Sequence, residues 1–257
     1  STTADVVAPP RYDVVLVAGG DVLNVRASAS PKAALVHALA PSARGLQGTG
    51  REAEVTGTRW VEVETPSGPG WAHAGYLVEV VRTSSLALDV GVGSLLAGLA
   101  SALSTSGDLT PWVSPRGLYV DDYGKLVRFP PEVLPTLLSR GPKRAWSGPA
   151  CGEACREGTF ADVVARPLLG VLRSPRTTRA TDRVLRGGNA SAAQPVSLAA
   201  LRFVSLLDPG TPAQDHLDWR AFTLYVEPVE GSLRLVAIVP DARSEERRVG
   251  KECATLC

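Results

Sequence analysis

Between positions 12 and 81, apolar and polar residues alternate in short runs separated by turn residues. The runs are YDVVLVA, VLNVR, ALVHAL, EAEVTG, RWVEVE and GWAHAGYLVEV, broken by GGD and TPSGPG. Short strands about every 8 to 12 residues, with Gly, Pro and Ser between them, predict a small all-β barrel or sandwich. RWVEVE alternates from Val61 onward, as a half-buried strand does, and the period breaks at Trp60.

Beyond position 81 the pattern changes. RTSSLALDVGVGS, residues 82–94, reads as a small-residue linker, and LLAGLASAL after it reads as helical. Residues 108–138 suggest two short strands and then a helix opened by Pro131. A helix is expected over 159–172. Residues 194–208 fit helix or strand by periodicity, and their neighbours favour a strand. DWRAFTLYVEP and SLRLVAIVPD form a hairpin around Val229 and Gly231, placed at the centre of an antiparallel sheet. Helices early and antiparallel strands late predict an α+β domain over residues 95–242.

Composition narrows the function classes. The 257 residues leave room for one large domain or two smaller ones. A chain 44% hydrophobic and 21% charged is an ordinary globular chain rather than a disordered one. The net charge of +1 argues against a nucleic-acid binder. Arginines outnumber lysines 23 to 4, a bias that fits a GC-rich genome. The opening STTADVVAPP carries neither an initiator Met nor a signal-like segment, so a mature or truncated form is expected. The apolar stretch 86–103 is interrupted by Asp89 and by glycines, which argues against a membrane span.

Two separated segments carry a resemblance. LNVRASAS and, downstream, RWVEVETPSGPGWAHAGYL are similar to the bacterial SH3 (SH3b-like) domain, on Leu23, Asn24, Val25, Arg26, Trp60, Val61, Gly70, Trp71, Tyr76 and Leu77. The resemblance covers residues 12–81 and implies a small SH3-like barrel. It also implies a secreted, periplasmic or envelope-anchored protein that binds peptidoglycan peptide or glycan. One departure is APSARGLQGTGRE, residues 40–52, which reads as a lengthened loop beside that family's usual binding face. Asn24 suits a tight backbone turn, and Arg26 can tie strands together. Trp60, Trp71 and Tyr76 are either core rings or a stacking face for a glycan or peptide. With Asn24 and Arg26 they are the candidate ligand-binding residues. His73 reads as an exposed loop residue.

The remainder resembles, more weakly, an uncharacterised domain of bacterial envelope proteins. The matching pieces are DLTPWVSPRGLYV, the Trp-Ser-Gly segment at Trp146 and DWRAFTLYVEPVEGSLRLVAIVPDA. RSEERRVGKEC, which begins the last segment (243–257), resembles the translation of a common sequencing adapter. That reading makes the last segment a non-native tail that packs against nothing. Without it the net charge falls from +1 to zero.

Candidate chemistry is sparse. Cys151 and Cys155, four apart in GPACGEACREG, suit a small disulfide; free thiols and half a zinc site are the alternatives. A disulfide fits an oxidising compartment. His216 stands in a loop beside Asp215 and Asp218, and Asp121 and Asp122 point apart on a strand, so neither makes a catalytic pair. Gly91 and Gly93 lack the rest of a dinucleotide fingerprint. Six arginines between Arg166 and Arg186 are either a solvated face or a dock for an anionic polymer or lipid headgroup. The expectation is a non-catalytic envelope binding protein without cofactor or metal. A cell-wall hydrolase with an unread site in the second domain is the alternative.

Overall fold

The computed structural model describes residues 9–80, 85–122, 124–147, 156–185, 194–214, 216 and 218–242. Cys151, Cys155, Arg186, Asp215 and the segment 243–257 lie outside these residues, so the expected disulfide and the expected unpacked tail do too. The described residues form two compact units. The first holds the residues up to 80 together with Gln194–Leu201, and the second holds the rest.

The first unit is a curled antiparallel sheet, a half-barrel. Its strands are β1 (Arg11–Val14), β2 (Leu23–Arg26), β3 (Leu35–Leu39), β4 (Leu46–Val55), β5 (Thr58–Val63), β6 (Gly70–His73) and β7 (Leu77–Glu79). They lie in the order β3-β2-β6-β5-β4-β1-β7. Alternate side chains turn inward and bury Val14, Leu23, Val25, Val61, Val63, Ala72 and Leu77 together. Gly70 lets β6 approach β2, since a Cβ there would stand 2.7 Å from Val25 Cγ1. The β4–β5 hairpin turns on Thr56 and Gly57, both at positive φ (50° and 74°), the backbone that a tight two-residue turn requires.

Two expectations for this unit need correction. Much of residues 40–52, read as a loop, belongs to β4, which starts at Leu46. The pairing of β4 with β5 is irregular between Gly48 and Glu52, and that bulge hides the alternation from a linear reading. Asn24 does not make a turn. It sits inside β2, exposed between buried Leu23 and Val25 and opposite Ala38 on β3.

The second unit begins with α1 (Ser85–Thr105). Then come β8 (Leu118–Asp122), β9 (Lys125–Phe129), a 3-10 segment (Pro131–Thr136), α2 (Leu137–Arg140), β10 (Arg144–Trp146) and β11 (Arg156–Gly158). A π-helical turn (Ala161–Ala165) runs into α3 (Arg166–Arg173) and is followed by β12 (Thr178–Thr181), β13 (Arg202–Asp208), β14 (Arg220–Val229) and β15 (Ser232–Ala242). Pro131 opens its helical segment at the position where a missing N–H costs nothing. In the larger sheet the order is β12-β13-β14-β15-β8-β9, so the predicted hairpin is central. Its turn uses Glu230 and Gly231 at φ 48° and 76°. The pairing is antiparallel except between β15 and β8, which run parallel. Residues 194–208 divide: Val196–Leu198 is a 3-10 turn of the first unit, and the strand starts only at Arg202.

The linker expected over 82–94 is helical from Ser85 onward. Glycines inside a helix cost about 1 kcal/mol each relative to Ala, but here they allow close packing. A Cβ on Gly91 would stand 2.9 Å from Leu233 Cδ1, and one on Gly98 would overlap the Trp112 ring. Val92, Leu95, Leu99 and Ala102 recur at helical spacing and enter the core with Phe222, Leu224 and Ile238. No helix among the described residues is long and apolar enough to cross a membrane.

Candidate functional site

β5 is buried on both of its faces, which is why its sequence alternation breaks at Trp60. Val61 and Val63 enter the core of the half-barrel, and Trp60 and Glu62 take the opposite face. Residues directly opposite on paired antiparallel strands share a face. Trp60 lies opposite His73, and Glu62 opposite Trp71, across β5 and β6. Arg26 of β2 lies opposite Trp71 from the other side. Asn24, two residues before Arg26, shares that outward side of β2, where exposure alternates with the buried Leu23 and Val25. Asn24, Arg26, Trp60 and Trp71 thus stand on one surface, with Tyr76 joined to it through His73.

Two small clusters organise this surface. In the first, the His73 ring packs 5.7 Å from Trp60 and 5.2 Å, edge-on, from Tyr76, measured between centroids. His73 Nδ1 accepts the Gly75 N–H at 2.9 Å, and this bond caps the short 3-10 turn (Ala74–Tyr76) that carries Tyr76. Gly75 makes the closure possible, because a Cβ there would stand 2.6 Å from the His73 ring. Trp60 is only 4% exposed, while Tyr76 is 39% exposed. The Trp60 indole N–H has no hydrogen-bond partner among the described residues.

The second cluster surrounds Trp71. Glu62 is buried and accepts hydrogen bonds from Thr49 Oγ1 at 2.8 Å and Arg51 Nη1 at 2.9 Å. The Arg51 guanidinium lies 5.5 Å from the Trp71 ring centroid, a cation–π arrangement. A bent β4 brings Thr49 and Arg51 over Glu62. Arg26 donates from Nη1 to the Ala33 carbonyl at 2.7 Å and so braces the loop between β2 and β3.

The rings divide by exposure. Trp60 is a buried support, Trp71 is half-buried, and Tyr76 reaches solvent. His73, expected in an exposed loop, is half-buried in β6 between two rings. Its position two residues after Trp71 carried the signal, but its contact with Trp60 depends on cross-strand register. Arg51, Thr49 and Glu62 were missed because they converge only through the bulge in β4.

Charged clusters in the second unit are of another kind. The Ser114 hydroxyl donates to Glu227, and Arg116 Nε contacts both Glu227 oxygens at 2.9 and 3.0 Å. Ser114 is 1% exposed, and its hydroxyl is taken up by this cluster. Asp122 accepts the Ser147 N–H at 2.7 Å and pairs with Arg144, whose guanidinium lies 4.7 Å from the Trp146 ring centroid. Asp121, on the other side of β8, has its carboxyl raised by burial; the Gly124 N–H opposes this, and Asp122 adds to it. His216 lies exposed in its loop, with Nδ1 3.1 Å from the Pro209 carbonyl. Asp218 is engaged by Thr211, not by that ring. No group of three metal-ligating side chains occurs among the described residues.

The chain matches no family model, no curated protein and no solved structure.

Proposed function

We propose that the first unit is a bacterial-SH3-like barrel that binds a polymer of the cell envelope, a peptidoglycan peptide or glycan, and that the chain works by binding rather than by chemistry. One observation carries this reading. Asn24, Arg26, Trp71 and the solvent-reaching Tyr76 gather on a single surface backed by buried Trp60 and half-buried His73. Rigid rings beside polar side chains bind extended polymers at little entropic cost. The predicted sequence resemblance points to the same surface. Such a ligand places the protein outside the cytoplasm, secreted, periplasmic or anchored to the envelope.

The two usable rings contribute only about 1 kcal/mol each, so binding is weak and reaches the order of millimolar to micromolar only with the polar contacts added. The test is co-sedimentation of the full chain with purified sacculi, alongside Trp71→Ala and Tyr76→Ala. Wild type pelleting with the wall, and folded variants remaining in the supernatant, is the expected result. Wild type remaining in the supernatant rejects wall binding. Equal pelleting of the variants moves the site elsewhere, and release of soluble muropeptides overturns the non-enzymatic reading.

A further inference from the structure

We propose that the open cleft at the C-terminal end of α3, in the second unit, is a binding site for a phosphoester. The cleft encloses about 440 Å³, and its charged lining is Arg173, Arg176, Arg220, Asp208 and Asp218. Three arginines and two aspartates line it, so the lining carries an excess positive charge.

The hydrogen bonds show where that excess resides. Arg176 grips Asp208 with two contacts of 3.3 Å, from Nε and Nη2, and the Gly210 N–H donates to the same carboxylate at 3.1 Å. Asp218 is held within its own loop by the Thr211 N–H at 2.7 Å and the Thr211 hydroxyl at 3.0 Å. Burial alone would raise the Asp208 carboxyl, but donors from Ser174, Gly210 and Arg176 hold it below its ordinary range. The two carboxylates are thus already engaged by donors. Arg173 and Arg220 line the same cleft, are exposed, and enter no ion pair among the described residues.

The local backbone keeps this geometry. Arg173 ends α3, and the Ser174 N–H satisfies the Gly170 and Val171 carbonyls at 3.0 and 3.2 Å. Arg220 starts β14 directly opposite Asp208 on β13. Gly210 stands at φ +77°, and a Cβ there would lie 2.8 Å from the Trp219 backbone nitrogen, so the loop closes only around glycine. Two arginines without an ion pair among the described residues, lining the same cleft as an anchored third, suit a tetrahedral oxyanion, which accepts forked charge-assisted hydrogen bonds. A bare phosphate would leave most of the cleft empty. The volume falls within the range of small-ligand sites, about 300–1,000 Å³, and accommodates a polyol or sugar on the phosphate. A soluble phosphoester, such as a phosphorylated polyol, is therefore the ligand class.

The experiment titrates the full chain with glycerol phosphate by calorimetry, with inorganic phosphate in parallel. Saturable one-site binding is expected, tighter for the phosphoester than for the inorganic ion. Arg173→Gln and Arg220→Gln should each weaken it about tenfold, the loss of a charged hydrogen bond. Arg166→Gln removes the same charge from α3, but at a residue paired with Asp162 and outside the cleft. It should change affinity less than twofold. Equal weakening by Arg166→Gln would reduce the site to diffuse electrostatics and overturn the proposal. So would unsaturable binding, or binding to anionic vesicles with none to the soluble ester. Circular dichroism of each exposed-site variant confirms that it is folded.

Discussion

Gly98 of α1 lies against the indole ring of Trp112 so closely that any Cβ would overlap the ring. The helix therefore carries glycine there for space and not for flexibility. Gly93, five residues earlier, has nothing within 4 Å of an added Cβ. The two positions should respond to alanine with opposite signs. Gly98→Ala should destabilise the second unit by about 1–3 kcal/mol through overpacking. Gly93→Ala should stabilise it by about 0.5–1 kcal/mol, because alanine is the better helix former. Urea midpoints of the two variants check both signs, and equal shifts would refute the packing argument.

Buried Glu227 joins buried Ser114 and half-buried Arg116. Removing the carboxylate leaves the Ser114 hydroxyl buried without its partner and the half-buried guanidinium without its counter-charge, at a cost of about 1–3 kcal/mol. Glu227→Ala should therefore be among the most damaging single changes in the second unit. Glu157→Ala, on the short strand β11, should shift the urea midpoint far less. Comparable losses in the two variants would show that the cluster is not a structural tie.

The carboxylates should separate by pH. Asp208 is held below its ordinary value of 3.8, and Asp121 is raised above it by burial. A depressed folded pKa adds stability that is present above the unfolded value and lost as pH falls through the folded one. Asp208→Asn should therefore destabilise at pH 7, with the difference from wild type closing as the pH falls below about 3.8. Asp121 has the opposite sign. Its contribution is favourable below the unfolded pKa and is lost as pH rises through the raised folded one. Asp121→Asn should then stabilise relative to wild type at pH 7, with the advantage vanishing in acid. Unfolding curves at both pH values, with carboxyl carbon shifts for each residue, read the two signs directly.

Some of this architecture is local and was legible in the chain. The β14–β15 hairpin shows alternating apolar residues, and both it and the β4–β5 hairpin close on a residue pair ending in glycine, Glu230-Gly231 and Thr56-Gly57. Pro131 marks its own helical start. These features depend on residues a few positions apart, so a linear reading recovers them. The surface holding Asn24, Arg26, Trp60, Trp71 and Tyr76 was legible only as a set of residues.

What the sequence determined by itself, then, was the strand periodicity, the turns and which rings and charges were available. Tertiary structure decided their partners. His73 meets Trp60 through the register of β5 and β6, and Arg51 reaches Glu62 through a bulge that breaks the alternation of β4. Gly91 of α1 reads as part of a linker until Leu233 supplies the neighbour that explains it. The parallel pairing of β15 with β8 and the grip of Arg176 on Asp208 likewise join distant stretches. The physical reason is the same in each case. A residue's own chemistry and near neighbours set its local backbone preference, but whether a charge is paired or a ring is buried depends on groups that only the folded chain brings within reach.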